Sequence, residues 1–194
     1  MTATDAEKWN NIYQSGDDAP AKPALVLAQN IHLLPRHGSA LDLACGRGGN
    51  ALLLAQNGLT VSAWDIADIA VRQLEQVATE KSLPIKTEVR DVVSKPPLPA
   101  TFDSIVVSYF LERSLFPHLV SALKPGGLLF YQTFIKDKVS DTGPKNPDYR
   151  LGKNELLALC RNLQIIFYRE EGNLGDINQG FRNEAMLIGQ RLES

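Results

Sequence analysis

The chain has 194 residues, of which 44% are hydrophobic, 22% charged and 7% aromatic, with 20 Lys and Arg against 22 Asp and Glu for a formal charge of −2. That length predicts one compact domain with a full core and excludes collagenous, disordered and coiled-coil classes. The near-neutral balance offers no basic face for a nucleic acid or an anionic membrane, so the expected partner is a small molecule. Cys45 and Cys160 lie far apart without metal-ligand spacing; neither a disulfide framework nor a metal site is expected, and a reducing cytoplasm fits. The opening MTATDAEKWN carries acids and no apolar run, so no secretory signal is expected, and no stretch reaches the ~18 apolar residues of a membrane span. None of this sets an oligomeric state.

Trp9, Ile12 and Tyr13 recur at helical spacing within 5–13, and Leu25, Ala28, Ile31 and Leu34 do so within 22–34 before Pro35; two leading helices are predicted, joined by the turn-rich SGDDAP. From Ala40 onward, brief apolar runs alternate with longer helical patterns, the signature of a parallel sheet with crossover helices. Strands are predicted at 40–44, 60–64, 85–89, 104–108 and 128–133, with helices at 49–57, 67–81 and 115–123. The middle helix puts Ala70, Leu74, Val77 and Ala78 on one face, as a helix covering a sheet requires. Gly58 and the run Lys124-Pro125-Gly126-Gly127 are chain stops. The polar stretch 136–153 is long for a connection and reads as a lid or an insert. A last helix at 154–162 precedes runs at 163–169 and 181–190, which are too close in sequence for a crossover helix and so should pair antiparallel.

The segment ALDLACGRGGNALLLA joins a strand to a helix through Gly46, Gly48 and Gly49. Glycines let a ligand approach the backbone, and the N–H groups at a helix start favour a polar or anionic partner. A plain structural turn would use the same residues. Two acids narrow the reading: Asp65 ends the second strand and Asp91 follows the third. A carboxylate about 20 residues beyond such a turn suits a ribose diol, and ligands of open parallel sheets lie outside the carboxyl ends of the strands. Three sites at successive strand ends point to a nucleoside ligand.

Gly46 to Ala51 satisfies the dinucleotide pattern G-x-G-x-x-A, so an NAD(P)-dependent oxidoreductase is a competing reading. Asp42, two residues before the turn segment, would repel a pyrophosphate. Tyr149 and Lys153 have the spacing of an oxidoreductase pair, but Pro147 and Gly152 place them in a loop.

The sequence Asp42-Leu43-Ala44-Cys45-Gly46-Arg47-Gly48 resembles the acid-x-Gly-x-Gly-x-Gly turn of class I S-adenosylmethionine-dependent methyltransferases, with Ala44 at the first glycine. A methyl group there is expected to be tolerated if the backbone angles are ordinary. FDSIVVSYFLER and LKPGGLLFYQTF extend the resemblance. More narrowly, LACGRGGNALLLA and YQTFIKDKVSDTGPKNPDYRLGKNELL look similar to small bacterial methyltransferases of the tellurite-resistance group. The resemblance implies an α/β fold: a Rossmann-like, doubly wound, seven-stranded, mainly parallel sheet with an antiparallel C-terminal strand pair and extra N-terminal helices. Within a single domain, 1–194, it implies cap helices at 1–36 and a core at 39–190. The implied cofactor is S-adenosyl-L-methionine. By resemblance, Asp42 helps hold its methionine part, directly or through water, and Gly46 and Gly48 give it room. Asp65 takes the ribose hydroxyls, Asp91 the adenine amine, and Ile66 and Val92 flank the adenine; Ala44, Arg47 and Ser108 complete the cofactor-binding set.

Methyl transfer mainly requires an aligned acceptor, so a dedicated base is optional and the resemblance names no catalytic residue. Candidates for the acceptor pocket are Tyr109, Glu112 and Arg113 after the fourth strand, Gln132 and Phe134 at the end of the fifth, and Trp9 and Tyr13 from the leading helix. In the region 136–153 acids interleave with the bases, which argues against a nucleic-acid groove. A noncatalytic nucleoside-binding scaffold is the third reading, because a fold does not by itself imply turnover.

Overall fold

The computed structural model describes residues 3–15 and 22–193; the SGDDAP linker beyond Ser15 lies outside the described residues. Short apolar runs pair into one seven-stranded sheet of order β3-β2-β1-β4-β5-β7-β6. The strands are β1 (Ser39–Leu43), β2 (Thr60–Asp65), β3 (Ile85–Val89), β4 (Phe102–Ser108), β5 (Leu123–Phe134), β6 (Gln164–Glu170) and β7 (Glu184–Gln190). Strands β1 to β5 run parallel. β7 inserts antiparallel between β5 and β6.

Period-two alternation sends side chains to two cores. Leu41, Leu43, Ile105, Val107, Leu129 and Tyr131 face one cluster, covered by α5 (Phe116–Ala122) and α6 (Glu155–Leu159). Ala40, Val61, Ala63, Val106 and Phe130 face the other, which holds Val26 and Leu27 of α2 (Leu25–Ala28), Leu54 of α3 (Gly49–Gln56) and Leu74 of α4 (Asp68–Glu80). Both faces of a parallel sheet are therefore covered, as its apolar strands require. Helix α1 (Ala3–Ser15) packs on α4 across the carboxyl edge of the sheet.

The second leading helix differs from its predicted span. It is helical only over α2, with a separate 3-10 turn at Ile31–Leu33. The Asn30 side-chain amide donates to the Val26 carbonyl at 3.0 Å while the Asn30 N–H turns to Leu27, so a side chain replaces the continuing backbone bond and the helix stops. Strand β5 starts five residues before its predicted onset. Leu123 pairs with Phe102 and Leu128 with Ser104, so the Lys-Pro-Gly-Gly segment is a bulge inside the strand rather than a turn before it. Helix α6 is five residues long rather than nine, and β7 begins at Glu184 rather than Phe181.

Candidate functional site

After β1 the connection passes to α3 on one face of the sheet, and after the adjacent β4 it passes to α5 on the other. A crevice opens where neighbouring connections diverge in this way. Both strands end on a left-handed residue, Ala44 at φ 56° and Tyr109 at φ 57°. The condition set for a methyl group at Ala44, ordinary backbone angles, is therefore not met. An L-residue in this region carries a penalty of about 1–2 kcal/mol.

The crevice holds an open cavity of ≈ 270 Å³. Its floor is the turn from Ala44 to Asn50. Asp65 and Ile66 of the β2 end, with Arg90 and Val92 beyond β3, form one wall; Ser108, Tyr109 and Phe110 form the other, and Trp9, Tyr13 and Lys22 cover it. The glycines are there for contact. A Cβ on Gly46 would lie 2.5 Å from the Tyr13 hydroxyl, one on Gly48 2.3 Å from Leu74 Cδ1, and one on Gly49 2.3 Å from the Lys22 carbonyl oxygen. Arg47 ties the cap to this floor, donating to the Tyr13 carbonyl at 2.9 Å and to Gln73 at 3.0 Å.

Asp65 lies at the cavity with Oδ2 accepting Gly46 N–H at 2.7 Å and Oδ1 accepting Ala67 N–H at 2.9 Å. An ionised carboxylate has about four acceptor positions, so these bonds orient it and still leave an acceptor position for a ligand hydroxyl. Burial raises its pKa, and the N–H groups of Ala67, Gly46 and Ile66 pull it back down. Burial also raises the Tyr13 hydroxyl, helped by the Asp65 charge, and the Cys45 thiol. Tyr13 and Cys45 are thus neutral hydrogen-bonding or apolar surfaces, not ready nucleophiles.

Ala44, Gly46, Arg47, Gly48, Asp65, Ile66, Val92 and Ser108 of the expected cofactor set line the cavity. Asp42 does not. It is fully buried and points to the α3 side, where Oδ2 accepts Ala51 N–H at 2.9 Å and Oδ1 accepts the Asn50 amide at 3.3 Å. It braces the start of α3 beneath the turn, and the supposed repulsion of a pyrophosphate loses its direct basis. Burial pushes Asp42 up to about 7 against those two hydrogen bonds. Asp91 is also outside the lining, accepting Val93 N–H at 3.0 Å in its own turn.

Of the acceptor candidates, Trp9, Tyr13 and Tyr109 line the cavity, and Phe134 packs on Tyr109 with ring centroids 5.2 Å apart. Arg113 is elsewhere, a correction to its expected role. Its Nε and Nη2 grip Glu155 at 2.6 and 3.1 Å, and it donates to the carbonyls of Asp148 and Arg150. These bonds fasten the 136–153 segment to α6. Glu112 accepts Ser114 N–H at 3.1 Å and starts a 3-10 turn. Lys153 pairs with Asp137 at 3.0 Å and Tyr149 ends a 3-10 turn, so the Tyr-x-x-x-Lys spacing shares no helix.

Sequence reasoning missed Asn50, whose amide nitrogen reaches Ser108 Oγ at 2.9 Å while its oxygen accepts Ala24 N–H at 2.8 Å. Its polar side chain at the start of an otherwise apolar α3 was the available signal. Arg90 was also missed; its guanidinium lies 3.9 Å from the Trp64 ring centroid. Among the described residues no three His, Cys, Asp or Glu side chains group as a metal site, and no helix is long and apolar enough to cross a membrane.

Comparison with known proteins places this geometry. A curated Haemophilus influenzae protein named "Probable S-adenosyl-L-methionine-dependent methyltransferase TehB" is 27% identical over 151 residues, 74% of this chain and 51% of its own length. The chain thus spans about half the length of the curated TehB relatives it matches. The crystal structure of TehB from Haemophilus influenzae superposes with a TM-score of 0.71 at 20% identity, covering 94% of this chain and 67% of that one. Geranyl diphosphate C-methyltransferase from Streptomyces coelicolor, solved with Mg2+, geranyl diphosphate and S-adenosyl-L-homocysteine, superposes with a TM-score of 0.68 at 14% identity, covering 85% of this chain and 76% of that one. These likenesses show the Rossmann-like fold. The model of the family described as "Tellurite resistance protein TehB" matches residues 25–183, and the chain belongs to that family.

Proposed function

We propose that this chain is an S-adenosylmethionine-dependent methyltransferase acting as a single domain on a small-molecule acceptor in the cytoplasm. The observation that carries the reading is Asp65, held at the end of β2 by Gly46 N–H and Ala67 N–H with acceptor capacity left toward the cavity. The residues present fit a nucleoside: a carboxylate for the diol, Ile66 and Val92 for an apolar ring, and a bare glycine floor. Bound here, S-adenosylmethionine would supply an electrophilic sulfonium methyl. Val92 and Ile66 would hold the adenine, with Asp91 at the turn beside them. Arg47 keeps α1 over the floor, so Trp9 and Tyr13 exclude water from the reacting side.

The size of the cavity, ≈ 270 Å³, and the formal charge of −2 support a small acceptor over a polymer. One structural neighbour named for a small substrate is in keeping with the same class. Buried free Cys45 and Cys160 support a reducing compartment. Calorimetric titration of S-adenosylhomocysteine, with NAD and NADPH as controls, tests the cofactor on wild type and Asp65→Ala. Micromolar binding of S-adenosylhomocysteine, weakened at least tenfold (about 1.4 kcal/mol) by Asp65→Ala, is expected. Binding of the nicotinamide controls alone would overturn the proposal.

A further inference from the structure

Behind Tyr109, which lines the cavity, two further polar side chains converge from the neighbouring strands. Tyr109 follows β4, Gln132 lies near the end of β5 and Glu184 opens β7, paired across from Phe134. All three stand at the carboxyl edge of the parallel strands, where ligands of such sheets bind. Gln132 is fully buried, and its partners dictate its orientation. Its Oε1 accepts Val26 N–H at 2.7 Å, so its Nε2 must face the other way, donating to Glu184 Oε2 at 2.6 Å and to the Tyr109 hydroxyl oxygen at 3.1 Å.

That assignment fixes the direction of the remaining bond. The Tyr109 oxygen accepts a hydrogen bond from Gln132, which leaves its own O–H to donate to the Glu184 carboxylate held by the same amide nitrogen. Tyr109 is held in the left-handed region at φ 57° and stacked on Phe134. A bulky residue is strained there, and such strain persists where surrounding structure enforces it. Neither the glycine turn nor the adenine wall uses this array.

We propose that Tyr109 and Glu184 form a proton relay for a protic methyl acceptor, an O–H, N–H or S–H compound, with Gln132 as its positioning residue. This rests on the methyltransferase reading above. In the step, the X–H bond breaks and its proton passes to the Tyr109 oxygen as the Tyr109 proton passes to the Glu184 carboxylate. The electron pair left on X forms the new X–CH3 bond, the S–CH3 bond breaks, and its pair stays on sulfur. Water then takes the proton from Glu184. Burial raises the pKa of Glu184 against the hydrogen bonds from Gln132 and Tyr109, which suits it to hold that proton. An acceptor already deprotonated in solution would need none of this.

Two measurements test the relay. NMR titration of glutamate δ-carbons in the S-adenosylhomocysteine complex should show Glu184 titrating above the ordinary glutamate range and rising further in Tyr109→Phe, which removes a donor to the carboxylate. An ordinary Glu184 titration unmoved by Tyr109→Phe overturns the relay. Methyl transfer is then followed to 2-mercaptoethanol, which is mostly protonated at neutral pH, and to 4-nitrothiophenol, which is already a thiolate. Glu184→Gln and Tyr109→Phe should lower kcat for the first at least tenfold more than for the second, with little change in KM. Equal losses on both probes, or no turnover of 2-mercaptoethanol by wild type, overturn the protic assignment. Failure to bind S-adenosylhomocysteine at all would instead strike the cofactor reading on which it rests.

Discussion

Ala44 gives the sharpest test of the turn. At φ 56° its methyl group sits in a conformation that costs an L-residue about 1–2 kcal/mol relative to glycine. Glycine surrenders about 0.5–1 kcal/mol of backbone entropy on folding. Ala44 is only partly buried and packs against the core, so part of one methyl group's burial, itself about 0.8 kcal/mol, is also lost. The balance predicts that Ala44→Gly stabilises the chain by about 0.5 kcal/mol, or ~1–2 °C for a chain of this size. Two companions calibrate it. Ala100, also left-handed at φ 51° but exposed, should gain at least as much on substitution by glycine. Ala78, buried in α4, should lose about 2 kcal/mol from helix propensity and packing together. Urea unfolding followed by circular dichroism ranks the three variants. An Ala44→Gly variant that unfolds at lower urea than wild type would refute the assignment of strain to that residue.

Gly49 has ordinary backbone angles but no room for a Cβ against the Lys22 carbonyl, so Gly49→Ala should cost about 1–3 kcal/mol in the same assay through overpacking alone. Arg113→Ala releases the bond to Glu155 and two loop carbonyls; limited proteolysis within 136–153 should accelerate while S-adenosylhomocysteine affinity stays within twofold. Asp42 titrates near 3.8 when unfolded and at about 7 when folded. Its protonated form is therefore favoured by folding, so its contribution is full below pH 4 and is lost as pH rises toward 7, by at most about 4 kcal/mol. Asp42→Asn should flatten that decline in urea titrations at pH 5 and 7, leaving the slope that the other raised carboxyls, Asp65 and Glu184, contribute in the same direction. A slope identical to wild type would count against the burial argument.

The parallel sheet was legible because its strands are short, apolar and punctuated. The predicted 85–89 coincides with β3, and the crossover helices over 49–57 and 67–81 differ from α3 and α4 by a residue at most at either end. The errors fall where side chains take over backbone bonds. Asn30 halts the second helix by capturing the Val26 carbonyl, and the Lys-Pro-Gly-Gly bulge hides inside β5 because pairing resumes on its far side. For the site, strand-end spacing pointed to Asp65, which reaches the cavity, and to Asp91, which does not line it, while the family resemblance pointed to Asp42, which does not line it either. Spacing marks the end of a strand but not the face a side chain takes. The Tyr109, Gln132 and Glu184 array joins residues up to 75 positions apart and becomes visible only when β7 is laid beside β5.

The two amide side chains that hold the start of α2 come from far apart in the sequence. Asn50 secures Ala24 N–H, and Gln132 secures Val26 N–H across 106 positions of sequence. During synthesis the first of these anchors emerges early, but the second exists only once β5 has been made and has found its neighbours. The segment around Ala24 and Val26 therefore gains its second anchor only when β5 is paired. The cavity cover that this segment carries is fully anchored only over a sheet whose central strands are already in place.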